Sequence, residues 1–250
     1  MHRLLSFLAV LSLANAEAGP AGADPAASIP SYREALDAFQ AERAKAGGPA
    51  INDADRQVMD RAAQDLARAM PDPGLKVGDK APDFTLPNAF GQPVHLQEML
   101  VEGPVVLTFY RGGWCPYCNL QLRGLRDTLP YFEQQGARLV AVTPQKPDKS
   151  REQVESDGYP FEILSDLDDR VMQAYKLLFQ VPADLSQIYK QRLSLDLAEY
   201  NGDGRYVLPV PATFVIDRSG VIRAAFVDVD YRKRVEPAAI ISVLRELPEE

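Results

Sequence analysis

Two cysteines, Cys115 and Cys118, are the only ones in 250 residues, and both lie in FYRGGWCPYCNLQL, the stretch from Phe109 to Leu122. A disulfide between them would close almost no loop and remove little unfolded-state entropy, so a structural staple explains the pair poorly. Zinc explains it no better. A structural site needs four ligands, and the only histidines, His2 and His95, stand far away in sequence. No metal and no cofactor are expected. What remains is redox chemistry. Where a Cys-x-x-Cys ends a buried strand and opens a helix, unpaired backbone N–H groups and the helix dipole stabilise a thiolate. A free thiol titrates near about 8.5, and such surroundings lower that by one to several units. A spacing of three places both sulfurs on one helical face, within reach of a disulfide. Pro116 suits the first helical turn, where its missing N–H would have gone unpaired, and Trp114 can shield the pair from water.

Those thiols need a strand before them and a helix after them. PVVLTFY at 104–110 reads as the buried strand, and Cys115 to Gln135 as the helix. Upstream, APDFTLPNAFGQPVHL reads as a β-hairpin turning at or beside Gly91, with His95 a solvated strand residue. Downstream come a strand in ARLVAVTP, a helix from Ser150 to Asp157, a short strand FEIL and a helix DDRVMQAYKLLF. Pro182 to Tyr206 looks like an insertion. PATFVIDRSGVIRAAFVDV then gives two strands about an Asp217–Gly220 turn, and Pro237 to Leu247 a closing helix. This order predicts an α/β chain with the thioredoxin-like fold, a central mixed sheet flanked by helices, over residues 76–250.

Before that domain the chain has three parts. MHR is a short basic start, LLSFLAVLSLA an apolar run and Ala14-Asn15-Ala16 a small-residue cleavage site, so 1–16 is expected to be a secretory signal peptide. The run is too short to span a bilayer, which takes roughly 20 apolar residues. A soluble exported protein, periplasmic or extracellular, is expected. Residues 17–30 read as a Gly/Ala/Pro-rich linker. Residues 31–70 read as a helical hairpin, with Tyr32, Leu36 and Phe39, then Val58, Met59, Ala62, Leu66 and Met70 at helical spacing. It carries no chemistry of its own, and packing or a homo-oligomer contact is its expected use. Hydrophobic residues make up 46% and charged residues 25% of the chain, with a net charge of −8 and no basic block. That balance argues against nucleic acid or anionic lipid as partners.

A second block, VPATFVID, opens a central strand with proline, which is unusual. In the thioredoxin fold that place belongs to a cis-proline facing the cysteines, so Val210–Pro211 is expected to be cis. The loop after the final strand, VDVDYRKR from Val227 to Arg234, should border the pair with Tyr231 and Arg234.

Taken with NGDG and LPVPATFVIDRSGVIRAAFVDVDYRKRVEP, the cysteine stretch resembles the peroxiredoxin-like group of the alkyl hydroperoxide reductase/thiol-specific antioxidant superfamily. The resemblance covers roughly residues 76–248. It implies thiol-dependent reduction of a peroxide, with electrons returned by a thioredoxin-like or glutaredoxin-like donor. It aligns Cys118 with the peroxidatic cysteine of a Pro-x-x-x-Thr-x-x-Cys loop. Three positions depart from that pattern: Arg111 stands for the proline, Cys115 for the threonine, and Pro211 for the arginine that usually steadies the thiolate. The departures recreate Trp-Cys-x-x-Cys and its proline, the dithiol–disulfide oxidoreductase pattern, in which Cys115 attacks and protein thiols are the substrates. The residues thus nominated are Cys115, Cys118, Pro211 and Arg111 for chemistry, and Trp114, Val210, Tyr231 and Arg234 for substrate contact. Which sulfur attacks is left open by sequence.

Overall fold

The computed structural model of the chain describes residues 28–47 and 51–248. The expected signal peptide at 1–16 and most of the linker at 17–30 lie outside the described residues. Two helices come first, α1 (Tyr32–Ala46) and α2 (Asp53–Ala69). An antiparallel pair, β1 (Thr85–Pro87) and β2 (Pro93–His95), follows, and Gly91 between them has a φ of 80°, which glycine adopts at no steric cost. Then come α3 (Leu96–Glu102), β3 (Val105–Phe109), α4 (Pro116–Glu133), β4 (Arg138–Thr143), α5 (Pro147–Asp157) and β5 (Glu162–Ser165). The chain continues through α6 (Arg170–Ala174), β6 (Leu178–Gln180), α7 (Ala183–Leu193), α8 (Leu197–Asn201) and β7 (Val207–Pro209). It closes with β8 (Ala212–Ile216), β9 (Ile222–Val227) and α9 (Pro237–Arg245).

The central sheet runs β5-β4-β3-β8-β9, with β3, β4 and β5 parallel and β8 antiparallel to both its neighbours. Both faces of β3 are covered, which is why its sequence is an apolar run and not an alternation. Val105, Leu107 and Phe109 enter one core layer with Phe214, Met172 and Tyr175. Val106 enters the other, with Leu125 and Phe132 of α4 and Ile240 and Ile241 of α9. Each such side chain gains about 1.5–3 kcal/mol on full burial, so the middle of the sheet is a firm base. Register then places the chemistry. Phe109, the last residue of β3, pairs with Ala212, the first of β8. The loop that leaves β3 and the Pro211 that enters β8 therefore meet at one end of the sheet.

Two expectations need correcting. No peptide bond among the described residues is cis, so Val210–Pro211 is trans. The Val210 N–H donates to the Leu177 carbonyl at 2.8 Å, and β7 runs almost directly into β8. The chain makes no tight turn here, and trans is the intrinsic preference of an X-Pro bond. The helix expected across DDRVMQAYKLLF stops at Ala174. Lys176 is left-handed at φ 58°, and the Leu177 N–H reaches back to the Met172 carbonyl at 2.9 Å, a helix-ending motif. Leu178–Gln180 becomes β6 and pairs with β7, since a short apolar run does not distinguish strand from helix. The 182–206 segment, expected only as an insertion, is mostly helical, holding α7 and α8.

The N-terminal helices are capped by Ser31 and Asn52, whose side chains accept from the N–H groups of Glu34 and Asp55. They rest on different neighbours. α1 lies on α4, with the Phe39 ring edge-on to Tyr117 at 5.6 Å. Both carboxylate oxygens of Glu236 accept from the α1 N-terminus, taking the Tyr32 and Arg33 N–H groups at 2.9 Å each. α2 lies on α7, joined by Arg192 Nε to Asp55 Oδ2 at 2.6 Å and by Met59 and Ala62 packed among the apolar side chains of α7.

Candidate active site

The loop between β3 and α4 is held from behind by amide side chains. The Gly113 N–H donates to Gln145 Oε1 at 2.8 Å, and the Gly113 carbonyl accepts from Asn119 Nδ2 at 2.7 Å. Asn119 Oδ1 in turn accepts from Gln153 Nε2 at 3.1 Å, and Gln153 Oε1 accepts from the Tyr110 hydroxyl at 2.8 Å. Glycine is required at 112. Its φ is 152°, and a Cβ there would collide with Trp114 Nε1. Cys115 precedes α4 with its backbone N–H donating to the Gly112 carbonyl at 3.1 Å, Pro116 opens the first turn, and Cys118 follows inside the helix. Both thiols are free, Cys115 only 1% exposed and Cys118 fully buried.

The two sulfurs differ electrostatically. Burial alone would push the Cys118 thiol up, but four contacts outweigh it: a hydrogen bond from the Cys115 thiol, the Arg234 and Arg111 guanidinium charges, and the Arg111 backbone N–H. The net result holds Cys118 well below the ordinary thiol range. Arg234 Nη2 donates directly to Cys118 Sγ at 3.4 Å. Burial pushes Cys115 up, as does its hydrogen bond to the Cys118 sulfur, and the arginines only partly offset this. The charges therefore favour the thiolate at Cys118 and the thiol at Cys115. That is a nucleophile beside a proton source, and a sulfur pair ready to join.

Arg111 is 5% exposed and sits among aromatic rings. Its guanidinium carbon is 4.3 Å from the Tyr231 centroid, 4.9 Å from that of Trp114 and 6.0 Å from that of Tyr189. Its Nη2 donates to the Tyr189 hydroxyl at 2.9 Å. Tyr231 also meets Tyr117 edge-on at 5.4 Å, and Tyr117 meets Phe39, so an aromatic row runs from the cation out to α1. Arg234 is half-buried and also donates to the Lys233 carbonyl at 2.9 Å.

Six nominated residues thus come together: Cys115, Cys118, Arg111, Trp114, Tyr231 and Arg234. Pro211 lines a cavity of about 220 Å³ with Arg234, Gln121, Thr213, Phe226 and Lys233. Val210 does not line that cavity. It is fully buried in the main core. A larger groove of about 770 Å³ lies beside Phe90, Tyr159 and Glu162, and neither cysteine lines it. Sequence reasoning missed Asn119, Gln145, Gln153 and Tyr189. Asn119 stands inside the quoted motif, one helical turn after Cys115, and was the one open to discovery. The other three carry no local signal.

The model of the AhpC/TSA family matches residues 77–225. The putative peroxiredoxin Rv2521 of Mycobacterium tuberculosis (strain ATCC 25618 / H37Rv) is 38% identical over 101 residues, covering 40% of this chain and 64% of that protein. The peroxiredoxin Bcp of Escherichia coli (strain K12) is 34% identical over 102 residues, again 40% of this chain and 64% of that protein. The match thus spans 64% of the length of these relatives. Among solved structures, peroxidoxin BcpB from Mycobacterium tuberculosis superposes with a TM-score of 0.56 at 22% identity, covering 70% of this chain and 99% of that one. That likeness is one of fold, and it bears out the thioredoxin-like architecture.

Proposed function

Because this chain belongs to the AhpC/TSA family, we propose that it is a thiol-dependent peroxidase in which Cys118 attacks and Cys115 resolves. The observation that carries the proposal is the asymmetry of the pair: Cys118 favoured as thiolate under Arg234 and Arg111, Cys115 favoured as thiol. The Cys118 thiolate takes the outer oxygen of hydrogen peroxide or an organic hydroperoxide. The O–O bond breaks, the sulfur becomes a sulfenic acid, and the leaving oxygen accepts a proton to give water or an alcohol. Donors are needed where that negative charge develops, and the two guanidinium groups supply them. The Cys115 sulfur then displaces hydroxide from the sulfenic acid, forming the 115–118 disulfide and releasing water. A thioredoxin-like or glutaredoxin-like dithiol returns two electrons and completes the cycle.

Export belongs to the same proposal, motivated by the basic start, apolar run and Ala14-Asn15-Ala16. Protein from its native source would begin near Glu17, and an intact Met1 would overturn that part. The chemistry is tested with Cys115→Ser and Cys118→Ser, each treated with peroxide and a dimedone probe. Labelling in Cys115→Ser alone is expected. If neither variant labels while one captures a protein thiol as a mixed disulfide, the protein is instead a dithiol–disulfide oxidoreductase.

A further inference from the structure

We infer that Tyr189, carried by the 182–206 segment, is a positioning residue that fixes the Arg111 guanidinium beside the cysteine pair. The inference takes its purpose from the proposed chemistry at Cys118, but its test does not need peroxide turnover.

Arg111 is difficult to hold. It lies on a loop, next to Gly112 and Gly113, and a free arginine side chain carries about 2 kcal/mol of rotamer entropy. It is buried, yet among the described residues it makes no ion pair with a carboxylate, and its Nε has no hydrogen-bond partner. A buried charge in that state must be fixed by whatever surrounds it. The faces of Trp114 and Tyr231 attract the cation, but an attraction to a ring face leaves the guanidinium free to turn in its own plane. Trp114 is also on the same loop and moves with it. The Tyr189 hydroxyl is different in kind, because it takes one N–H of the fork at 2.9 Å and so selects one orientation.

Tyr189 is itself well anchored. It is 7% exposed, near the end of α7. Its carbonyl accepts from the Leu195 N–H at 3.0 Å across the left-handed Ser194 that ends the helix. α7 is held in turn by α2 through Arg192 and Asp55, and by Met59 and Ala62. A packed path thus runs from α2 through α7 to the cation next to the sulfurs. The segment that resembled a mere insertion has a use at the site.

The experiment titrates the reduced protein by ultraviolet thiolate absorbance and by the pH profile of alkylation. The wild type is compared with Tyr189→Phe, Arg111→Ala and the double variant. Tyr189→Phe keeps the ring and its packing and is expected to raise the Cys118 midpoint by about 0.5 to 1. Arg111→Ala should raise it further, and the double variant should match Arg111→Ala alone, since a residue that acts through Arg111 has nothing left to position. An unmoved midpoint in Tyr189→Phe, or a double variant showing the sum of the two single effects, overturns the inference. Should Tyr189→Phe not fold, nitrogen NMR of the wild type serves instead. Separate, slowly exchanging Arg111 guanidinium signals support the inference, and a freely rotating group overturns it. Variants that show the coupling, in a wild type that turns over no peroxide, would overturn the peroxidase proposal and leave the inference standing.

Discussion

Replacing Arg234 by methionine keeps most of its aliphatic volume and removes the charge 3.4 Å from the Cys118 sulfur. An opposite charge within about 4–6 Å lowers an acidic pKa by roughly 1–3. Arg234 is half-buried, so water screens part of its effect. Its loss should therefore raise the Cys118 pKa by about 1.5, toward the lower-middle of that range. From a starting value of about 5, this predicts a strongly pH-dependent defect. Near pH 8 both proteins are almost wholly thiolate, and ionisation alone changes the reactive fraction very little. Near pH 5.5 the thiolate fraction falls from about three-quarters to about one-tenth, roughly an eightfold loss. The assay is the rate of Cys118 alkylation across that range, where Cys115, pushed up by burial, stays silent. The sign is fixed: a depressed folded value means that reactivity persists down to the acid range in the wild type and is lost earlier in the variant. An unchanged alkylation midpoint would refute the placement of the charge. A rate falling equally at both ends would show that Arg234 acts on something other than ionisation.

Two further outcomes are expected. Glu236→Gln removes the charge that accepts from the Tyr32 and Arg33 N–H groups, costing about 1 kcal/mol at that cap; hydrogen exchange should quicken across α1, and unchanged protection there would refute the tether. Burial raises the Asp166 carboxyl to about 6 despite the N–H groups of Met172 and Val171, so the stability present at lower pH is lost as pH rises through that value. Asp166→Asn should accordingly gain on the wild type between about pH 4 and pH 7 by on the order of 2 kcal/mol, and a melting-temperature gap that does not change with pH would refute it.

The sheet was legible because its strands announce themselves. PVVLTFY and ATFVI are apolar runs bounded by turns, and only a strand covered on both faces keeps such a sequence. The thiol pair was legible for a different reason: two cysteines at helical spacing after such a strand have few other uses. Arg111 and Arg234 could be nominated because one adjoins the motif and the other lies in the loop that borders it. Which sulfur the charges favour as thiolate was beyond the sequence, since it depends on how the arginines lie after folding. Tyr189 was beyond it too. A tyrosine on a helix of a segment that reads as an insertion looks like any packed aromatic, and its partner lies 78 positions away. Val210 and the geometry at Pro211 were misjudged by analogy. A template supplied the cis bond, whereas the chain runs straight from β7 into β8.

Cys115 and Cys118 stand one turn apart at the start of α4, and this bears on survival as well as on rate. When two reacting cysteines lie far apart, a collective or locally unfolding motion has to bring them together, on a scale of microseconds or longer. During that delay a sulfenic acid stands exposed to a second oxidant molecule, which carries it irreversibly to sulfinic acid. Here the partner is one turn away, within the reach of side-chain rotations that take picoseconds to nanoseconds. On the proposed chemistry, the vulnerable intermediate would be consumed almost where it forms. Such a catalyst would trade the capacity to be switched off by excess oxidant for the capacity to keep working in it.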